Sequence, residues 1–454
     1  MKSRISSRIG MQVFADWLRT ELWPLPALAI AGAIALGVAM PQLDARVVDD
    51  LPPAVTAYLF TGGPEAARSV LQTVAGSLIT VTSLTFSLTV VTLQLASGQY
   101  SPRLLRTFTR DRTVHTALAV LLGTFTYALT VLRTVRGEHG DLAAFVPQLS
   151  VTVAYVLAVA SVLTVAGFLA HLAQQIRVES MLRDVHADGT RTIRRTMPSA
   201  ADDAQQPAAV ARSGPAATLN AHRSGFLASA DGRALVEAAR AAGVVLRVDR
   251  LPGASVIAGT PVATAWRPDG SMIDAKTREA CEEHVNSALQ LTFERTAAQD
   301  VAFAVRQITD VVVKALSPGV NDPTTAVHAL GHASALLCEA AERAWGDRSL
   351  TDDAGQVRAV LARPTFASLL ELAVSQPRRY GSAEPAVLAR ILQLLREVAW
   401  VARDPSHRAP VLDQLARTRT VADREDFDPA ERSGLAEDAR LVDAALAGSW
   451  PSGG

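Results

Sequence analysis

The stretch "SLITVTSLTFSLTVVTLQLA", Ser77–Ala96, has no charged side chain and carries a hydroxyl at almost every second or third position. At about 100° per helical residue, Thr82, Thr85, Thr89 and Thr92 share one stripe. Thr80, Ser83 and Ser87 fall on the opposite one, in line with Thr73, Gly76 and Gln94. A helix with two small, polar faces is poorly suited to lipid on most sides. Two roles fit it. The hydroxyls can let helices approach closely and bond the carbonyl of the preceding turn, or they can line a water-filled path and replace part of an ion's hydration shell.

Outward from this stretch, four segments lack Asp, Glu, Lys and Arg: Leu22–Leu43, Ser69–Pro102, Thr113–Leu132 and Leu142–Ile176. A span needs about 20 mainly apolar residues to cross a hydrocarbon core of about 30 Å, so the four read as transmembrane helices. Half of the 454-residue chain (49%) is hydrophobic, and 44 basic residues balance 44 acidic ones. That balance offers no electrostatic footprint for nucleic acid. Intramembrane ionisable groups usually mark proton relays and ion-coupled transport, and the four segments hold only His115, at the start of the third, and His171, near the inner end of the fourth, both of which read as interfacial.

Basic residues set the orientation, because Lys and Arg resist translocation. Lys2, Arg4, Arg8 and Arg19 precede the first span. Arg103, Arg106, Arg110 and Arg112 follow the second, and Arg177, Arg183, Arg191, Arg194 and Arg195 follow the fourth. The other two loops mix Arg46 and Arg68 with Asp44, Asp49, Asp50 and Glu65, and Arg133 and Arg136 with Glu138 and Asp141. The expectation is a multi-pass protein of a bacterial inner membrane with both termini cytoplasmic. Arg103, Arg106, Arg110 and Arg112 also form a candidate basic cluster at the inner surface, able to hold anionic headgroups or ring an anion-attracting vestibule. Ile5, Ile9, Val13, Trp17 and Leu18 recur at helical spacing and predict an interfacial helix before an uncleaved first span. Cys281 and Cys338 are the two cysteines, so no disulfide framework is implied. Lysine is confined to Lys2, Lys276 and Lys314, a usage typical of a GC-rich bacterial genome.

"SLTFSLTVVTLQLASGQYSPRLLRTF" and "RTAAQDVAFAVRQITDVVVKALSPGVNDPTTAVHAL" together resemble the bacterial domain-of-unknown-function 2254 family of predicted membrane proteins. The likeness extends from about the first span to about Leu337. It implies a multi-span integral membrane protein with a cytoplasmic portion, and it transfers no activity.

The whole is expected to be mainly α: a four-span transmembrane helical domain, then a cytosolic α+β domain with a small β module and a helical bundle. Residues 1–176 form the membrane domain, with spans at about 22–43, 69–96, 113–132 and 145–173. Residues 177–220 read as a linker, 221–275 as the β module, 276–345 as a helical corner and 346–454 as a C-terminal helical region. Within the β module, "LPGASVIAGTPVATAW" is similar to the hairpins of biotinyl and lipoyl half-barrels. No lysine lies between Lys2 and Lys276 to carry the group, so a carrier role fails.

In the corner, Val301, Ala304, Val305, Ile308, Val311, Val312 and Ala315 make one apolar stripe. Ser317-Pro318-Gly319 ends that helix, and Asp322-Pro323 begins the next as N-cap and first helical residue. Arg295, Asp300, Asp310, Asn321 and Asp322 form a candidate polar cluster here. His328 and His332, four apart, have a metal-compatible spacing, but no third ligand lies near in sequence, so no metal and no cofactor is expected. HExxH, Walker and GxSxG patterns and repeated CxxC pairs are missing, which leaves an enzyme without nucleophile, base or phosphate cradle.

Two functions fit these features. The first is a homo-oligomeric channel or passive permeation protein for a small ion, with the hydroxyl-rich helix along the path and the cytosolic domain as vestibule or gate. The second is a membrane-anchored sensor or scaffold whose cytosolic surface binds a protein or small ligand. In both, the lipid bilayer and further copies of the chain are the expected partners.

Overall fold

The computed structural model describes residues 23–47, 52, 58–99, 112–137, 144–175, 177–199, 214–402 and 404–450. Two compact units make up the chain, Met1–Arg177 and Val178–Gly454.

The first unit consists of four helices, α1 (Pro24–Val47), α2 (Pro64–Gln99), α3 (Arg112–Leu132) and α4 (Gln148–Gln175). Within them Pro24–Arg46, Pro64–Thr92, Arg112–Leu132 and Gln148–Gln174 are long and apolar enough to cross a membrane. Prolines open α1 and α2, where the amide hydrogen they lack has no helical acceptor. Helix α3 is the hub and packs on the other three. Leu71, Ala75, Tyr127, Val131, Val151 and Ala154 form the shared core. Close approach of α1 to α3 depends on Gly37, because a Cβ there would lie 2.8 Å from Thr130 Cβ. The Tyr127 hydroxyl donates to the Ser150 carbonyl (3.1 Å), and Ser161 Oγ donates to Thr124 Oγ1 (3.1 Å), so the buried polar groups between α3 and α4 are paired. The expected interfacial helix before Leu22, and Arg103, Arg106 and Arg110, lie outside the described residues; Arg112 is the first residue of α3.

The second unit begins with a correction. Residues 177–220 are not one linker: α5 (Val178–Thr196) opens the unit and β1 (Ala216–Asn220) already belongs to a sheet. In α5, Met181, Leu182, Val185, Gly189, Thr192 and Ile193 are buried at helical spacing. Its many arginines lie on the other faces and mask this apolar stripe in the sequence.

The β module is also larger than residues 221–275. After β2 (Gly225–Ala230), α6 (Gly232–Ala242) is capped by the Asp231 carboxylate and ended by Gly243 in the left-handed region. Then follow β3 (Val245–Val248), β4 (Ser255–Val256), β5 (Pro261–Trp266), α7 (Ala275–Ala288) and β6 (Leu289–Thr292). Strands β7 (Arg348–Thr351) and β8 (Val357–Leu361), from the region expected to be helical, complete a five-stranded sheet of order β1-β5-β3-β8-β7. β8 runs parallel to β3, and the other pairs in that sheet are antiparallel. β2, β4 and β6 form a second, three-stranded sheet. Leu219, Leu227, Leu235, Leu246, Val262 and Val285 make the core beneath α6 and α7, so α7 belongs to this module and not to the helical corner.

The remaining helices are α8 (Ala302–Ala315), α9 (Pro323–Ala341), α10 (Phe366–Tyr380), α11 (Pro385–Val401), α12 (Arg408–Ala422) and α13 (Pro429–Leu446). Helix α5 packs on α8 and α9, and α11 on α9, α12 and α13. The turn between α8 and α9 is tight. Asn321 takes φ 49°, the Asp322 N–H donates to the Ala315 carbonyl (2.8 Å), and the Asp322 carboxylate accepts from Thr325 N (3.0 Å) and Thr325 Oγ1 (2.6 Å).

Candidate functional site

Thr82, Thr85, Thr89 and Thr92 each donate a hydroxyl hydrogen to the carbonyl four residues earlier, at 2.7–2.8 Å. Thr82, Thr85 and Thr92 are buried and Thr89 is half-buried, so this stripe faces neighbouring helices of its own unit. Such hydroxyls are spent on their own backbone and contribute smallness to the packing. Thr80, Ser83 and Ser87 occupy the exposed face, where Thr80 Oγ1 donates to the Gly76 carbonyl (3.1 Å).

In the second unit, two members of the expected polar cluster meet. The Arg295 guanidinium pairs with Asp300, whose other carboxylate oxygen accepts from Ala302 N (3.0 Å) at the start of α8. Asp300 is 3% exposed. Burial pushes its carboxyl above the ordinary carboxylate range, against the opposing pull of Arg295. The pair sits on the Pro252–Gly253 turn. Gly253 has φ 82°, and a Cβ on it would collide with the Asp300 carboxylate. Asp310 lies ten residues further along α8, about 15 Å at 1.5 Å per residue, and does not join the pair. Asn321 and Asp322 shape the α8–α9 corner, where the bonds from Thr325 hold the Asp322 carboxyl below its usual range.

Beside the Arg295–Asp300 pair lies a crevice of about 350 Å³. Four separated stretches form it: the end of α5 (Arg195–Met197), Ser229 and Pro252 of the β module, residues 298–301 before α8, and Arg348 with Leu361–Pro364. Among the described residues, three arginines and no carboxylate line it. Arg195 donates to the Ala298 carbonyl and Arg363 to the Thr196 carbonyl (3.2 Å), which fixes both guanidinium groups at the rim. Arg348 is exposed and forms no ion pair with a described residue. The Gln299 amide bonds both backbone groups of Ala230, extending β2 and closing one wall. Arg348 and Arg363 carried no signal in the sequence, and Arg195 registered only as a topology determinant. Their convergence is tertiary.

His332 stands 5.2 Å from His328 and 5.4 Å from His186 between ring centroids, so α5 supplies the third imidazole that sequence spacing lacked. Burial, and then the neighbouring His186 and His328, push the His332 pKa below 6.5. Among the described residues, no group of three or more His, Cys, Asp or Glu is arranged to hold a metal ion.

A family model described as "Predicted membrane protein (DUF2254)" matches residues 19–397. The chain belongs to this family. Its similar relatives include the uncharacterized protein Mb1321c of Mycobacterium bovis and the uncharacterized protein Rv1290c of Mycobacterium tuberculosis. Each is 36% identical over 427 residues, which is 92% of this chain and 79% of the relative. No solved structure matches. The DUF2254 match covers all four apolar helices, both sheets and the crevice, so the arginine-lined site lies within the family's shared region.

Proposed function

We propose that this DUF2254 protein is a membrane-anchored sensor or scaffold, without catalytic activity of its own, whose C-terminal unit binds a small ligand. The observation that carries the reading is the crevice, built by four distant stretches of chain and of a size found in ligand sites, roughly 300–1,000 Å³. The four apolar helices act as an anchor. Their Thr82–Thr92 stripe supports this role, because its hydroxyls are bonded into their own helix. The distribution of Lys and Arg supports an inner-membrane topology with the C-terminal unit in the cytoplasm.

The exposed face bearing Thr80, Ser83 and Ser87 favours a second reading, an oligomeric permeation protein. Small residues at these positions suit contact with a second copy, and several copies would have to turn this face to a common axis to form a path.

Thermal unfolding of the full chain in nanodiscs, with and without a fractionated bacterial metabolite pool, tests the first reading. At least one fraction raises the unfolding temperature of the parent protein and fails to do so for Ala298→Trp, which fills the crevice from an exposed position. Stabilisation by no fraction, or equal stabilisation of both proteins, contradicts it.

A further inference from the structure

Three imidazoles meet on the seam between α5 and α9. His332 stands between His328, one turn earlier on α9, and His186 on α5, with ring centroids 5.2 and 5.4 Å away. His328 is exposed and the other two are half-buried, so solvent protons reach the group. The rings have little room to part while α5 stays docked. At Gly189, one turn beyond His186, a Cβ would lie 2.7 Å from the Ala304 Cβ of α8 and 3.0 Å from the Leu336 side chain of α9, so the α5 backbone is pressed onto both helices.

Neutral imidazoles tolerate such proximity, whereas imidazolium ions repel one another. The acids nearby have other partners. On α5, Asp184 pairs with Arg183 and Asp188 with Arg191. On α11, Glu397 pairs with Arg390, whose guanidinium lies 3.8 Å from the place of a Cβ on Gly331, beside His332. Helix α8 carries Arg306, Asp310 and Lys314 off its buried stripe, and α10 directs Glu371 and Arg378 to Gln414 of α12. Burial, and then the charges of His186 and His328, hold the His332 pKa below 6.5. A ring that binds its proton less well when docked than when free favours docking above that range and opposes it as pH falls through it. One tie between the two helices persists in weak acid. Glu339 of α9, which the hydrogen bond from Arg194 holds below the ordinary carboxylate range, stays ionised and keeps the C-terminal end of α5 in place.

We infer that His186, His328 and His332 form a proton-sensitive latch: neutral, they let α5 dock along its length, and protonated in mildly acidic solution they drive the N-terminal half of α5 off α9. That half begins at Val178, directly after the residues of the first unit, so acid loosens the segment through which the chain from the fourth apolar helix enters the second unit. The latch is independent of any ligand in the crevice.

Hydrogen–deuterium exchange of the full chain in nanodiscs, corrected for the intrinsic effect of pH on exchange, tests it. Between about pH 7.5 and about pH 5.5, on either side of the ordinary imidazole range, protection of residues 182–189 falls at least about tenfold more than that of α11. The α11 reference separates local release from a general loss of stability. The double variant His186→Gln, His332→Gln abolishes the extra loss while matching the parent at the higher pH. If that variant loses α5 protection at the higher pH as well, the exposed His328→Gln decides, since removing one of the three charges moves the release to lower pH. Equal changes in α5 and α11 of the parent, an extra loss that survives the double variant, or a release that His328→Gln leaves unmoved overturns the latch.

Discussion

The carboxylate of Asp44, at the end of α1, accepts a hydrogen bond of 2.9 Å from the backbone N–H of Ser150 in the first turn of α4. It also accepts from Leu149 N at 2.7 Å and from the Ser150 hydroxyl, and it is buried. The first N–H groups of any helix lack intrahelical acceptors, and a negative group there also meets the positive end of the helix dipole. Here the acceptor comes from another helix, so one side chain both caps α4 and ties it to α1. Asp44→Ala therefore lowers the unfolding free energy of the first unit by about 1–3 kcal/mol, with Asp44→Asn intermediate. Steric-trap unfolding in bicelles measures this. Unchanged stability in Asp44→Ala contradicts the capping role.

Gly253 supports the buried Arg295–Asp300 pair through its conformation and its lack of a side chain. Gly253→Ala places a methyl against the Asp300 carboxylate at a φ that L-residues rarely adopt. Gly259 has a similar φ of 80° with no atom within 4 Å of an added Cβ. Gly259→Ala thus incurs backbone strain alone, about 1–2 kcal/mol. Gly253→Ala costs distinctly more, because the ion pair must move or break. Urea unfolding of the two variants side by side measures the difference, and equal losses would show that the turn does not support the pair.

His407 makes the stability of the second unit sensitive to acid. Its ring is 2% exposed, stacks on Phe366 with centroids 4.1 Å apart, and has no hydrogen-bond partner on either nitrogen among the described residues. Burial pushes its pKa below 6.5, with Asp404 pulling weakly the other way. As pH falls through 6.5 the unfolded chain takes up a proton that the folded chain refuses until lower pH, so stability drops with acidification. Above that range both states are neutral and the residue contributes no slope. His332 shifts in the same direction. His407→Phe retains the ring stack and flattens the decline in unfolding temperature between neutral and mildly acidic pH. Parallel pH curves for the two proteins would contradict the assignment.

Different parts of the molecule were legible in the sequence for different physical reasons. The four long helices announce themselves because lipid demands uninterrupted apolar length, and the α8–α9 corner because Asp322-Pro323 has one good use at a helix start. Helix α5 was hidden because Met181, Leu182, Val185 and Ile193 are interleaved with the arginines that also set topology. The β7–β8 hairpin is short and lies in a mainly helical stretch, so its only local signal is the turn, where Asp352 accepts from Ala354 N and Gln356 N in a tight Asp-Asp-Ala-Gly sequence. The Arg295–Asp300 pair could be suspected because its members are five residues apart. Arg195, Arg348 and Arg363 could not, since only the packing of α5 and the parallel β3–β8 pairing bring their segments together. Asp44 read as an ordinary loop acid for the same reason, its acceptor role being fixed by a helix more than a hundred residues later.

Ion flux into proteoliposomes discriminates most directly between an anchor that holds a binding unit and a path for ions. Purified protein in liposomes passes monovalent cations and anions no faster than protein-free vesicles, and Ser83→Leu with Ser87→Leu, on the exposed face of α2, leaves that baseline unchanged. Protein-dependent flux that the same pair of substitutions abolishes, with fold and oligomeric state preserved, would contradict the anchor and restore the hydroxyl-bearing helix as the lining of a pore.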